Sequence, residues 1–117
     1  MRRGDVVVVS LPGDLGKPRP AIIAQTDVLN SHLRTVLLCP VSSFSSSPSF
    51  FRVAVEPTME NGLRLPSEIM VEKLQAANKS RIGQVIGHLD DLSMRRLERA
   101  LMISLGLAQD LEGEPQE

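Results

Sequence analysis

The sequence predicts a small antiparallel β domain that ends in a single helix. Several short runs rich in β-branched residues, or with alternating polarity, are separated by segments of Gly, Pro and Ser, which is typical of strands and turns. One stretch near the C-terminus, residues 90–107, has the apolar spacing of an amphipathic helix instead. The length of 117 residues fits one domain, and 42% hydrophobic with 23% charged residues is typical of a globular protein.

The first three strands are predicted in the N-terminal third of the chain. Residues 5–11 (DVVVVSL) form a β-branched run that stops at a Pro-Gly turn, and residues 20–26 (PAIIAQT) form a second apolar run. Between them, residues 13–20 hold two glycines and two prolines, which indicates a loop. Residues 34–41 (RTVLLCPV) form the third strand, where Pro40 favours an edge position or a bulge.

The middle of the chain is predicted to alternate between strands and connecting segments. Residues 42–49 are dominated by serine, which indicates an exposed loop, whereas residues 51–55 alternate as a half-buried strand does. Residues 68–73 (EIMVEK) form another predicted strand. The segment 80–88 (SRIGQVIGH) has apolar residues at helical spacing, but its two glycines argue against a helix, so we expect a strand with bulges.

The C-terminal helix has the clearest pattern. Asp90 is a suitable N-cap, and Asp91 complements the positive end of the helix. We expect residues 1–109 to form the domain and the acidic residues 110–117 to fray. The predicted buried face comprises Leu97, Ala100, Leu101, Ser104, Leu105 and Ala108, and the opposite side carries Arg95, Arg96 and Arg99.

Composition excludes several classes of protein. Cys39 is the single cysteine, so no internal disulfide forms, and the two histidines have no metal-ligand spacing; we therefore expect no metal and no cofactor. No apolar run approaches the ~20 residues of a membrane helix, and no secretory apolar region follows the N-terminal arginines. We expect a cytoplasmic protein without membrane contact.

The charge distribution permits a nucleic-acid partner without requiring one. The formal net charge is −1, but four of the 14 acidic residues lie in the last eight positions, which leaves 13 basic against 10 acidic residues in the rest. The chain has no Trp or Tyr and only three Phe, so bases have almost no aromatic platform on which to stack. Contacts with RNA would have to use phosphates and hydrogen bonds.

The residues themselves give one candidate for phosphate chemistry. Arg19 lies between two prolines, which lower the conformational entropy lost when the arginine is fixed. A guanidinium group held in this way can bind a phosphate through two hydrogen bonds, and Ser42 and Ser43 end a neighbouring predicted strand. The alternative is an ordinary solvated loop arginine, which residue type alone favours.

A series of motifs, in order along the chain, resembles the MazF/PemK family. Residues 3–7 (RGDVV) and 16–23 (GKPRPAII) resemble its first strand and its arginine-proline motif. Residues 39–43 (CPVSS) are similar to the end of its next strand, and residues 62–73 to its Gly-Leu and following strand segment. Residues 78–82 (NKSRI) and the last helix continue the match, which runs from residue 2 to about residue 107.

This resemblance implies a fold, an activity and partners. The fold would be an SH3-like antiparallel β-barrel with one C-terminal helix, assembled as a homodimer. The activity would be that of a toxin from a type II toxin–antitoxin pair: a metal-independent endoribonuclease that cleaves single-stranded RNA, chiefly mRNA, by attack of the ribose 2′-hydroxyl. The products would be a 2′,3′-cyclic phosphate and a 5′-hydroxyl. A cognate antitoxin protein would be the regulatory partner.

The resemblance also implies roles for individual residues. Arg19 matches the arginine of the family motif, and we favour electrostatic stabilisation of the phosphorane because arginine is a poor proton donor at neutral pH. Ser42 stands where the family has a catalytic threonine, so the hydroxyl is retained, and Ser43 matches the second hydroxyl. Glu72 matches an acidic residue that could act as general base, with a surface ion pair as the alternative. Some members carry a basic residue where this chain has Met70.

The remaining basic residues and two rival functions stay open at this level. Lys17, Lys79 and Arg81 are expected to bind RNA phosphates, although ordinary solvated charges are an equally good interpretation for the last two. One rival is a CcdB-like inhibitor of DNA gyrase, a group that often depends on an exposed Trp, which this chain lacks. The other is a degenerate member that retains only antitoxin binding.

Overall fold

The fold is a seven-stranded antiparallel sheet followed by one long helix. The computed structural model describes residues 1–44 and 49–108. The predicted mainly β class with an α+β arrangement is confirmed. In chain order the elements are β1 (Asp5–Ser10), β2 (Pro18–Ile23), α1 (Asp27–Asn30), β3 (Thr35–Ser43), β4 (Val53–Val55), β5 (Ser67–Ile69), a 3-10 turn (Val71–Lys73), β6 (Gln75–Asn78), a second 3-10 turn (Lys79–Arg81), β7 (Ile82–His88) and α2 (Asp91–Ser104).

The strand β1 lies between β2, its neighbour in sequence, and β7, the last strand of the chain. It pairs with β2 on one side, where Val9 lies opposite Arg19, and with β7 on the other, where Asp5 lies opposite His88. The β1–β7 register shifts twice, between Val6 and Val7 and between Val7 and Val9. The prediction of a strand with bulges for residues 80–88 is therefore confirmed, because bulges accommodate the glycines that a helix would not favour.

The strand β3 is the hub of the sheet. It pairs with β2 along its middle, with β6 over residues 35–38 and with β5 over residues 41–43. Pro40 lies between the residues that pair with β6 and those that pair with β5, so its missing N–H costs no ladder hydrogen bond on that side of β3. The Pro40 carbonyl accepts from the Met70 amide at 2.8 Å. Pro40 was predicted to mark an edge position or a bulge. The strand β3 is instead a central strand, and the proline lies at the point where the partner on one side changes from β6 to β5.

Several local predictions differ from the structure. Only Glu68 and Ile69 of the predicted strand 68–73 are extended, as part of β5. The chain then turns through the 3-10 segment into β6, which was not predicted. The alanines of QAAN carry a weak strand signal, and the pairing with β3 determines the conformation. Ser42 and Ser43 belong to β3 rather than to the following loop, because β5 extends the ladder to them.

The apolar residues divide into two clusters on the two faces of the sheet. Alternate residues of one strand enter different clusters: Val6 faces the helix side, and Val7 faces the other. The cluster beside the helix includes Ile22, Cys39 and Ile69 and is covered by α2. Burial raises the pKa of the Cys39 thiol to about 12, so this cysteine is a packed, unreactive residue.

The helix α2 begins at its predicted cap. The Asp90 carboxylate accepts a hydrogen bond from the Ser93 amide at 2.6 Å. Met94, Leu97 and Ala100 are buried in the core. Leu105 was predicted to join that face but is largely exposed, because the helix ends at Ser104 and Leu105 forms its C-cap.

Two predicted segments involve residues outside the described part of the chain. The acidic C-terminal residues 110–117 lie wholly outside it, as do residues 45–48 of the predicted serine-rich loop. In residues 1–44 and 49–108, no helix is both long and apolar enough to cross a membrane.

Candidate active site

The loop before β2 presents an ion pair to the edge of the sheet. Two backbone turns shape this loop: Asp14 N donates to Leu11 O at 3.2 Å, and Lys17 N donates to Asp14 O at 2.9 Å. Between them, Leu15 has a φ of 54°, a left-handed conformation that is rare for a residue with a side chain. The resulting loop folds Asp14 back against Arg19.

Arg19 is held by three hydrogen bonds within the protein. Its Nε donates to Asp14 Oδ2 at 2.8 Å, and its Nη2 donates to Oδ1 at 3.1 Å, so the carboxylate binds side-on to the guanidinium. Its Nη1 donates to the carbonyl of Val41 at 3.3 Å. The last contact joins Arg19 to the residue that precedes Ser42, which brings the two predicted site residues together.

Asp14 is the carboxylate that faces Arg19, and the sequence analysis did not identify it. The hydrogen bond from Arg19 is the largest influence on Asp14 and holds the pKa of its carboxyl below the usual 3.8. Asp14 is therefore ionised at neutral pH. Its position five residues before Arg19, in a turn-forming segment, was the available signal.

A groove of about 590 Å³ lies beside this ion pair. Arg19 lines it together with Ser42 and Ser43, so three of the predicted site residues share one surface. Ser42 is half-buried near the end of β3, and its hydroxyl donates to the Ser43 carbonyl over a long distance of 3.4 Å. The other residues that line the groove are Val8, Pro20, Val41, Gly62, Leu63, Arg64, Leu65, Ser67, Gln84 and Ile86.

A tight crossing of two backbone segments supports the far side of this groove. Gly62 has a φ of +71°, and a Cβ on it would overlap the carbonyl of Ile86. The buried amide of Asn61 accepts from the Leu63 amide at 2.9 Å and donates to the Glu56 carbonyl at 2.8 Å. These contacts fix the segment that carries Arg64, a second cation on the groove surface that the sequence analysis did not single out.

The structure places Glu72 away from the groove. It follows β5 in the 3-10 turn, and Arg52 Nε donates to its Oε2 at 3.0 Å and to its Oε1 at 3.2 Å. Glu72 borders a second cavity of about 500 Å³, whose other walls include Phe50 and Leu101. Arg52, just before β4, thus provides the basic partner that Met70 does not supply.

The other predicted RNA-binding residues are not among those that line the groove. Lys17 is exposed in the loop but is not part of the groove lining. Lys79 follows the end of β6 that pairs with Thr35, about 26 Å along β3 from Ser43, and its Nζ donates to the Asn30 carbonyl. Arg81 is exposed and precedes Ile82, which lies across β1 from Arg19.

Fold and groove together define a class: a small, mainly β domain in which a fixed arginine and neighbouring hydroxyls can accept a phosphate group. Comparison with known proteins identifies the family within that class. Residues 2–105 match the family model described as PemK-like, MazF-like toxin of type II toxin–antitoxin systems. The chain belongs to this family.

Individual relatives agree with this assignment. The chain is 33% identical over 109 residues to a protein of Mycolicibacterium smegmatis named "Probable endoribonuclease MazF", covering 92% of this chain and 99% of the relative. A mycobacterial endoribonuclease solved with its cognate antitoxin has a TM-score of 0.78 at 20% identity, covering 92% of this chain and 96% of that one. The Mycobacterium tuberculosis toxin MazF-mt6 has a TM-score of 0.75 at 24% identity, over 87% and 96% of the two chains.

Proposed function

We propose that this toxin is an endoribonuclease that cleaves single-stranded RNA, chiefly mRNA, without a metal ion. The observation that carries the proposal is the fixed guanidinium of Arg19 in a groove shared with Ser42 and Ser43. The 33% identical relative named as an endoribonuclease supports the same activity.

The hydrogen-bond inventory of Arg19 explains how it can bind a phosphate. A guanidinium has five N–H donors, and the protein accepts from one on each of its three nitrogens. The two remaining donors lie one on each Nη, which is the pair that can reach two oxygens of one phosphate. Asp14 therefore orients Arg19 without consuming the donors that the substrate needs.

In the proposed reaction, the ribose 2′-oxygen attacks the adjacent phosphorus while the bond from phosphorus to the 5′-oxygen breaks. The 2′-hydroxyl proton passes to solvent water, and water supplies a proton to the departing 5′-oxygen. The products are a 2′,3′-cyclic phosphate and a 5′-hydroxyl. Arg19 stays charged and stabilises the negative charge that builds up on the phosphorane. Ser42 and Ser43 donate hydrogen bonds that hold the phosphate.

Among the carboxylates, the geometry favours Asp14 over Glu72 for a role in the groove. Asp14 contacts Arg19 directly, whereas Arg52 holds both oxygens of Glu72 beside another cavity. We assign Asp14 the positioning of Arg19. The groove cation Arg64 adds a contact for a neighbouring phosphate, and exposed Lys17 and Arg81 extend the basic surface beyond the groove.

The proposed partners are an antitoxin and a second copy of the chain, in the cytoplasm where mRNA is translated. A relative solved with its cognate antitoxin, and a MazE–MazF structure from Deinococcus radiodurans with a TM-score of 0.74, support the antitoxin. Exposed apolar side chains beside the second cavity, among them Phe50 and Leu105, support a homodimer. Sedimentation equilibrium of the purified toxin tests the dimer.

The decisive experiment incubates the purified toxin with a long single-stranded RNA in excess EDTA and maps the new ends. We expect cleavage that leaves cyclic phosphates and 5′-hydroxyls. Intact RNA after treatment with a folded, antitoxin-free toxin would falsify the proposal. Gyrase-dependent DNA breaks in that case would identify the rival function.

A further inference from the structure

Arg52 bridges two carboxylates just before β4, and neither the motifs nor the groove accounts for it. Its Nη1 donates to Glu68 Oε1 at 2.9 Å, while its Nε and Nη2 both donate to Glu72. Arg52 is 23% exposed at its side chain, so this is a partly buried triad rather than a loose surface pair.

Glu68 is the unusual member of this triad. Its residue is 2% exposed, although it lies in a three-residue strand near the rim of the sheet. A carboxylate is costly to bury unless a cation and hydrogen bonds compensate its charge. Arg52 supplies that cation, so removing Arg52 leaves a buried carboxylate without its ion-pair partner and weakens the link between β5 and the chain that enters β4.

The strand register places Glu68 next to a residue of the groove. Glu68 lies directly opposite Ser42 of β3 on one side and opposite Ala54 of β4 on the other. Directly opposed residues of antiparallel strands project to the same face, with Cβ atoms about 5 Å apart. The Glu68 carboxylate therefore emerges on the face that carries the Ser42 hydroxyl.

The same triad ties three short pieces of chain together. β4 and β5 have three residues each, so few backbone hydrogen bonds hold them. Arg52 joins the chain that enters β4 to Glu68 of β5 and to Glu72 of the 3-10 turn. β5 in turn pairs with Ser42 and Ser43, and the Phe44 amide donates to the Pro66 carbonyl at 2.9 Å.

We propose that Arg52 is a positioning residue for the cleavage reaction: acting through Glu68, it fixes the end of β3 so that Ser42 faces the phosphate bound by Arg19. This inference rests on the proposed function of the groove. It also gives Glu72 a role, as the second anchor of Arg52 rather than as a base.

The first test measures how firmly the end of β3 is held, independently of RNA cleavage. Amide hydrogen exchange is compared between wild type, Arg52→Gln and the control Arg95→Gln, which alters an exposed arginine of α2. We expect Arg52→Gln to speed exchange roughly tenfold or more in residues 42–44 and 53–55, with exchange in α2 unchanged. Unchanged exchange at residues 42–44 overturns the proposal, whether or not the toxin cleaves RNA.

The second test asks whether Arg52 affects the rate of RNA cleavage through the position of Ser42. Single-turnover cleavage at saturating RNA is measured for Arg52→Gln, Ser42→Ala and the double variant. We expect Arg52→Gln to slow cleavage about ten- to hundredfold with little change in the RNA concentration needed for saturation. The double variant should be no slower than Ser42→Ala, within about twofold, because Arg52 acts through the serine.

A rescue variant separates this role from a general loss of stability. Arg52→Gln combined with Glu68→Gln removes the uncompensated charge and places two amides that can hydrogen-bond across the same gap. We expect this pair to recover much of the protection and of the rate lost in Arg52→Gln. Effects of Arg52→Gln and Ser42→Ala that multiply independently would overturn the proposal, while a wild-type toxin that leaves RNA intact would overturn the proposed function instead.

Discussion

Replacement of Arg19 by alanine is the most informative perturbation of the groove. The variant removes the two Arg19 N–H donors that have no acceptor in residues 1–44 and 49–108, and the charge that we propose stabilises the phosphorane. A hydrogen bond to a charged group contributes about 1.5–3 kcal/mol, so two contribute about 3–6 kcal/mol. Because the Arg19 side chain is 31% exposed, solvent screens these bonds, and the lower half of that range applies.

The expected result follows from that range. About 3–4 kcal/mol at 1.36 kcal/mol per factor of ten corresponds to a loss of roughly a hundred- to a thousandfold in kcat/KM. The assay follows cleavage of a single-stranded RNA in EDTA by gel electrophoresis, under single-turnover and steady-state conditions. Circular dichroism checks that the variant is folded, and Arg99→Ala, an exposed arginine on α2, serves as the matched control.

Two outcomes would refute the reasoning. Cleavage by Arg19→Ala within about threefold of the wild-type rate would show that phosphate stabilisation lies elsewhere. An equal loss in Arg99→Ala would show that the effect comes from general charge rather than from the fixed guanidinium. Arg19→Lys adds a further check, since an ammonium group cannot replace both the fork held by Asp14 and the donors left for the phosphate.

Four other outcomes are expected. Asp14→Asn should slow cleavage about tenfold or more, because an amide presents a donor to a guanidinium donor. Glu72→Gln should stay within about threefold of wild type in the same RNA assay, because the glutamine oxygen can still accept from Arg52 and Glu68 is unchanged. The reverse order would return the proton-transfer role to Glu72. Arg52 lowers the pKa of Glu72 below its usual 4.5, so the pair stabilises the fold above that pH and loses its contribution on acidification. The difference in melting temperature between wild type and Glu72→Gln should therefore shrink from about pH 6 to about pH 3, and a constant difference would contradict this. Leu97→Ala should lower the free energy of unfolding by about 2–5 kcal/mol in urea titrations, because Leu97 is fully buried under the sheet. Gly62→Ala should both destabilise the fold and slow RNA cleavage, since its methyl group collides with the Ile86 backbone at the groove wall; normal thermal stability would exclude that collision.

The sequence was most informative where local chemistry determines the structure. The β-branched run of β1, the Asp90 cap and the helical spacing of α2 each act over a few residues, and each was predicted close to its position. Arg19 and Ser42 could also be chosen from motifs, and the structure brings them to one groove. These features depend little on how distant strands pair.

The predictions failed where distant pairing decides the outcome. β6 has a weak strand sequence and exists because it pairs with β3. The position of Glu72 depends on the turn after β5 and on Arg52, twenty residues away, so no local pattern shows that it faces the second cavity. Asp14 lies close to Arg19 in sequence, but its role is visible only once the turn folds it back.

The pairing of β1 with β7 also constrains when the site can exist during synthesis. The groove combines Arg19, from the beginning of the chain, with Gln84 and Ile86, from near its end. β1 acquires its second neighbour only when residues up to His88 are free to pair with it. A chain still emerging from the ribosome therefore carries its arginine without the opposite wall of the groove. The groove is thus completed only when almost the whole polypeptide has been made.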